Sequence, residues 1–129
     1  MDTSVIADME TRGLLQRVHP DTIDHFVNRP GLGLLFFAGG STHSRETHDV
    51  AVALRELLKD YPGQLRTALV EDEDRLKERF RVLTAPSLVF TVAGQVQEVL
   101  PGIRDWGDYS AAFARYLGPP RTPQKEAQS

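Results

Sequence analysis

Four consecutive carboxylates, Glu71-Asp72-Glu73-Asp74, are one of the groups in this chain whose type and spacing suggest chemistry. They can meet guanidinium groups through charge-assisted, often bidentate hydrogen bonds, which makes them a candidate dock for a basic segment. The same residues suit the start of a helix, where they complement its dipole, and the two readings are compatible. A second candidate is Thr84-Ala85-Pro86, set just ahead of the β-branched and aromatic run Ser87-Leu88-Val89-Phe90. A proline at the start of a strand can take the cis peptide bond, which is rare outside X-Pro. A loop of that kind offers unpaired backbone groups to an extended peptide, so Ala85 and Pro86 join the candidate binding residues.

Other groups carry less. Gly39-Gly40-Ser41-Thr42 lies between an apolar run and a helical pattern, where free N–H groups can hold an anion. It lacks the G-x-x-x-x-G-K-[ST] pattern, and a tight turn is the favoured reading. Ser41 and Ser44 stand in no G-x-S-x-G elbow and have no His–acid pair at a recognisable spacing, so helix capping suits them better than nucleophilic catalysis. His43 and His48 are five residues apart and do not stack on one helix face. His19 and His25 have no third ligand at a known spacing, so neither a metal nor any other cofactor is expected. Trp106 and Tyr109 are expected to cover the edge of the core.

The elements that must position these residues belong to a chain of 129 residues, 40% of them hydrophobic, enough for one core. Eighteen acids against fifteen Lys and Arg leave a net charge of -3, which argues against a nucleic-acid surface. There is no cysteine, hence no disulfide, thiolate metal site or thiol nucleophile. Residues 1–12 carry Asp2, Asp8 and Glu10 and no continuous apolar stretch, so they read neither as a signal peptide nor as an anchor, and a cytoplasmic protein is expected.

Periodicity predicts a helix over 4–12 with Ile6 and Met9 on one side, and a brief strand over 14–18. Asp21 or Thr22 can cap a helix presenting Ile23, Phe26 and Val27, which Asn28-Arg29-Pro30-Gly31 ends. The near-continuous apolar run Leu32–Phe37 is typical of a strand buried on both faces. A helix over 44–60 carries the stripe Val50, Ala53, Leu54, Leu57 and Leu58. A strand over 65–70 runs into the acidic tetrad, which is expected to open a helix with Leu76 and Phe80 at i, i+4. Strands over 87–92 and 95–100, joined at Ala93-Gly94, form a hairpin with Val89 and Leu100 facing the core. A last helix covers 108–117, and the polar stretch 118–129 is expected to be disordered.

This order resembles the thioredoxin fold over residues 20–117, an α/β architecture with a central mixed sheet flanked by helices and, here, an N-terminal extension over 1–19. The segment Leu35-Phe36-Phe37-Ala38-Gly39-Gly40-Ser41-Thr42-His43-Ser44-Arg45 is similar to the thioredoxin strand and active-site turn, with Ser41 and Ser44 in place of the two redox cysteines. In the same alignment the buried acid that assists thiol chemistry falls on Leu35, and Thr84-Ala85-Pro86 falls on the cis-proline loop. A serine hydroxyl cannot form or exchange a disulfide, so dithiol activity is excluded.

Within that superfamily the chain resembles the hydrogenase expression family HyaE/HupG. Those proteins are short, lack C-x-x-C, carry an extra N-terminal segment, and show an aromatic strand, an acidic stretch after the next strand, and an Ala-Pro or similar loop. The resemblance implies a non-catalytic, cytoplasmic chaperone in nickel-iron hydrogenase maturation. Its implied partner is the twin-arginine signal peptide of the hydrogenase small-subunit precursor, alongside other maturation proteins, with a homodimer compatible. Glu71, Asp72, Glu73 and Asp74 are then the candidates to meet the two arginines. The alternative is a redox-inactive structural or dimerisation module.

Overall fold

The computed structural model describes residues 3–39 and 45–120. Helix α1 (Thr3–Thr11) leads to strand β1 (Gln16–Val18), helix α2 (Ile23–Val27), strand β2 (Leu32–Phe37) and helix α3 (Arg45–Asp60). Strand β3 (Arg66–Val70) follows, then a 3-10 turn (Glu73–Arg75), the hairpin strands β4 (Ser87–Val92) and β5 (Gln95–Pro101), and helix α4 (Trp106–Leu117). The five strands form one mixed sheet in the order β1-β3-β2-β4-β5. β1, β3 and β2 run parallel, while β4 is antiparallel to β2 and β5 to β4. The expected thioredoxin-like arrangement is therefore present, with a mixed central sheet flanked by helices.

β2 sits at the centre, and all six of its residues are buried. Its pleat sends alternate side chains to opposite layers. Leu34 and Phe36 join Leu54, Leu57, Phe90 and Phe113 under α3 and α4, while Leu35 and Phe37 join Phe26, Ala68, Phe80 and Val89 on the α2 side. Val89 and Leu100 both face the core as expected, though in different layers. The α3 stripe holds, with Val50, Leu54, Leu57 and Leu58 buried and Ala53 packed at its margin. The hairpin turns at Ala93 and Gly94, both at positive φ (51° and 82°), a geometry that matches the twist of antiparallel strands.

Three expectations are corrected. The tetrad does not open a regular helix: Asp72 takes the left-handed conformation (φ 55°), and only Glu73–Arg75 forms a 3-10 turn. From there to Val82 the backbone bonds mix spacings, Leu76 N–H to Glu73 C=O, Lys77 N–H to Glu73 C=O and Val82 N–H to Lys77 C=O, until Arg81 turns left-handed at φ 63°. Leu76 and Phe80 still reach the core, so burial of these two side chains, not helix propensity, organises the segment. α4 begins at Trp106, two residues before its expected start. Of the two aromatics expected at the core edge, Tyr109 is buried with its hydroxyl accepting the Arg104 N–H at 3.1 Å, whereas Trp106 is half exposed. Burial pushes the Tyr109 phenol above its ordinary pKa.

The segment expected as an extension, 1–19, contributes Val5, Ile6 and Met9 to the same core layer as α3 and α4, and its β1 pairs with β3 at the sheet edge. Most of the 118–129 stretch lies outside the described residues. Met9 is fully buried, so Met9→Ala should cost about 2–5 kcal/mol in urea unfolding, with an unchanged slope. A loss below about 0.5 kcal/mol would make α1 peripheral to the core.

Candidate functional site

The strand pairings bring four loops to one end of the sheet. β2 and β3 are parallel and both end there, at Phe37 and Val70; Phe37 lies opposite Ser87, where β4 begins, and Ser87 lies opposite Pro101, where β5 ends. The tetrad follows β3, Ala85-Pro86 precedes β4, and Gly102 follows β5. The Ala85-Pro86 bond is cis, as expected. Pro86 C=O accepts the Gly102 N–H at 2.7 Å, and Ser87 Oγ donates to Thr84 C=O at 2.7 Å, so the proline loop is held from both sides. Gly39, at the exit of β2, has φ 107°, a conformation that favours glycine. Its N–H donates to Glu73 Oε2 at 2.8 Å. The start of α3 is tied to the same strand end by Thr47 Oγ1, which donates to Ala38 C=O at 2.6 Å.

These contacts enclose an open cleft of about 610 Å³. It is lined by Asp72, Glu73, Asp74 and Lys77 from the segment after β3, by Leu83, Thr84 and Ala85 from the loop before β4, and by Gly39 at the exit of β2. The structure thus brings three tetrad carboxylates and Ala85 to one site, with Pro86 buried beside it. Ser41 and Ser44 lie outside the described residues, and Leu35, which the resemblance set at the position of the thioredoxin acid, is fully buried among apolar side chains.

The four carboxylates separate into different roles. Glu71 accepts from Arg17 Nη1 at 2.6 Å, while Arg17 also donates to both oxygens of Glu10, at 2.5 and 3.1 Å. Hydrogen bonds to Glu10 first and Glu71 second hold that guanidinium above its ordinary pKa. Glu73 is buried and braces Gly39. Asp72 and Asp74 are exposed, and among the described residues their ion pairs are local, with Arg75 at 3.5 Å and Lys77 at 3.4 Å. Such surface pairs contribute about 0–1 kcal/mol and exchange readily for a partner's cation. The sequence reading missed Lys77 and Leu83, and took Gly39 only as part of a tight turn or anion-holding loop. Leu83 stands three residues before the proline in a stretch without periodicity, yet an isolated leucine ordinarily reads as core.

Among the described residues no helix is long and apolar enough to cross a membrane, and no cluster of three His, Asp or Glu residues is placed to hold a metal. Sheet order, flanking helices and the cis-proline beside the β2 exit define a thioredoxin-like domain. The fold is similar to that of the thioredoxin Mala s 13 of Malassezia sympodialis, with a TM-score of 0.68 and 13% identity over 79% of this chain and 92% of that one. A more specific match is to the profile of Hydrogenase-1 expression protein HyaE, which covers residues 5–109. The chain is 38% identical over 125 residues to the hydrogenase expression/formation protein HupG of Rhizobium leguminosarum bv. viciae, spanning 92% of this chain and 84% of that protein. It is 33% identical over 117 residues to HupG of Bradyrhizobium diazoefficiens, spanning 86% and 79% respectively. It is also 41% identical over 91 residues to the hydrogenase expression/formation protein HoxO of Azotobacter vinelandii, spanning 69% and 61%. The chain belongs to the HyaE family, and its role lies in hydrogenase maturation.

Because Glu73 is buried against Gly39 while Asp74 is almost fully exposed, the two carboxylates should respond differently to substitution. Glu73→Ala leaves the Gly39 N–H without that acceptor and should cost about 1–3 kcal/mol in urea unfolding. Glu73→Gln, which keeps an acceptor oxygen, should cost less, and Asp74→Asn should stay within about 0.5 kcal/mol. Equal effects for Glu73→Ala and Asp74→Asn would contradict the bracing role.

Proposed function

We propose that this protein is a non-catalytic cytoplasmic chaperone that binds the twin-arginine signal peptide of the hydrogenase small-subunit precursor before export. The observation that carries this reading is the shared cleft: exposed Asp72 and Asp74 line it together with Ala85 of the cis-proline loop. Two adjacent arginines have the charge and the fork geometry to replace the weak local partners of these carboxylates. Neither the N–H nor the C=O of Ala85 is hydrogen-bonded within the described structure, which leaves both available to an extended peptide backbone. Family membership supports the client class, and a chain without cysteine has no thiol with which to act on it.

Glu71 and Glu73, drawn into the candidate dock by the sequence, play supporting parts in this proposal. Arg17 compensates Glu71, and Glu73 holds the Gly39 N–H at the cleft. Affinity then depends on the two exposed aspartates together with backbone and apolar contacts, since exposed pairs alone contribute little.

Titration of a hydrogenase small-subunit signal peptide against the wild-type protein and an Asp72→Asn/Asp74→Asn variant tests this. The variant should bind about 3- to 30-fold more weakly at low salt. The difference should fade as the Debye length shrinks from about 10 Å at 0.1 M to about 3 Å at 1 M salt. Equal affinities without salt dependence would confine the aspartates to turn formation. Absence of binding to either protein would favour a structural or dimerisation module.

A further inference from the structure

Among the described residues, four large apolar side chains are exposed: Leu83 at 95%, Trp106 at 49%, Ile103 at 47% and Val92 at 39%. Val92 ends β4 beside the hairpin turn, at the far end of the sheet. Leu83 lies on the loop that leads to Pro86, Ile103 on the loop after β5, and Trp106 opens α4 directly after that loop; the hydrogen bond from Gly102 N–H to Pro86 C=O joins the two loops. Core packing does not account for them. Tyr109, Ala112 and Phe113 make the buried contacts of α4, and the Tyr109 hydroxyl pins the Arg104 N–H between Ile103 and Trp106, both of which remain outside. Exposed apolar groups gathered on one side of a protein mark an interaction surface, and tryptophan is prominent among residues that anchor one.

We propose that Leu83, Ile103 and Trp106 form an apolar seat for the hydrophobic stretch that follows the basic residues of the bound peptide. This rests on the reading of the acidic cleft as its docking site. Charge complementarity selects the occupant, because Leu83 shares the cleft with exposed Asp72 and Asp74. A segment that is cationic first and apolar next satisfies both surfaces in one pass. A second copy of this chain suits the face poorly, since a two-fold contact there would bring two pairs of aspartates together.

Trp106 is the sole tryptophan of the chain, so emission from the intact protein reports on the seat. The first probe is a synthetic peptide, free of Trp and Tyr, in which two arginines precede about ten apolar residues, the length of an export-signal apolar region. The second probe replaces that apolar run with serine and glycine. The first peptide should shift the emission to the blue, and the second should bind about tenfold more weakly without a shift. Leu83→Ser and Ile103→Ser alter exposed side chains and should leave the fold intact. Each should weaken the first peptide about 3- to 10-fold and leave the second unchanged.

Unmoved emission and unchanged affinity in both serine variants, with binding still weakened by Asp72→Asn/Asp74→Asn, would overturn the seat and leave the acidic dock standing. Absence of binding by either peptide would overturn both. A blue shift produced by raising the protein concentration alone would assign the surface to self-association instead.

Discussion

With water excluded from both faces of Leu32–Phe37, the backbone groups of that strand have to find their partners in neighbouring strands, and β3 and β4 supply them. The same exclusion requires an apolar layer on each side. Leu34 and Phe36 draw in α1, α3 and α4; Leu35 and Phe37 draw in α2 and the turn-rich segment after β3. Once these layers close, the exits of β2 and β3 and the beginning of β4 lie side by side. The cleft is a consequence of that packing. Its walls are loops because the strands beneath them have already satisfied one another.

Electrostatics at this end of the sheet follows from what each carboxylate can reach. Glu73 turns inward to Gly39, Glu71 meets Arg17 across the β1 edge, and Asp72 and Asp74 are left facing solvent. The cleft therefore keeps a negative wall without a large buried charge cluster, which desolvation would disfavour. The same cleft is lined by Leu83, Thr84 and Ala85 from the loop before β4. In the proposed function, carboxylates and an exposed leucine lining one cleft discriminate by the order of residue types along a peptide. That is compatible with a thioredoxin-like scaffold in a chain without cysteine.

Much of this was legible in the sequence wherever local pattern and burial agree. The run Leu32–Phe37, the stripe from Val50 to Leu58, the Ala93-Gly94 turn and the proline before β4 each carry a strong local signal, and each takes the expected form. The tetrad was harder, because four adjacent carboxylates look alike in sequence. The Gly39 contact that buries Glu73 is thirty-four residues away, and the Arg17 contact that compensates Glu71 is fifty-four away. The left-handed turn at Asp72 likewise answers to the tertiary position of Glu73 and Leu76, against the helix propensity of the segment. Leu83 and Trp106 were obscured by the opposite error, since apolar residues read as core until a structure shows them outside. Ser41 and Ser44, the residues that carry the argument against redox chemistry, do so by chemical type alone.

The central claim is that one end of the sheet, and not its edges or helical faces, receives the precursor peptide. Amide chemical-shift mapping of the isotope-labelled protein during addition of a hydrogenase small-subunit signal peptide tests it most directly. The account predicts that perturbations concentrate at Gly39, at 72–74, at 83–85 and at 102–106. Perturbations confined to the outer edge of β5 or to the exposed sides of α1 and α2, with these loops unmoved, would contradict it.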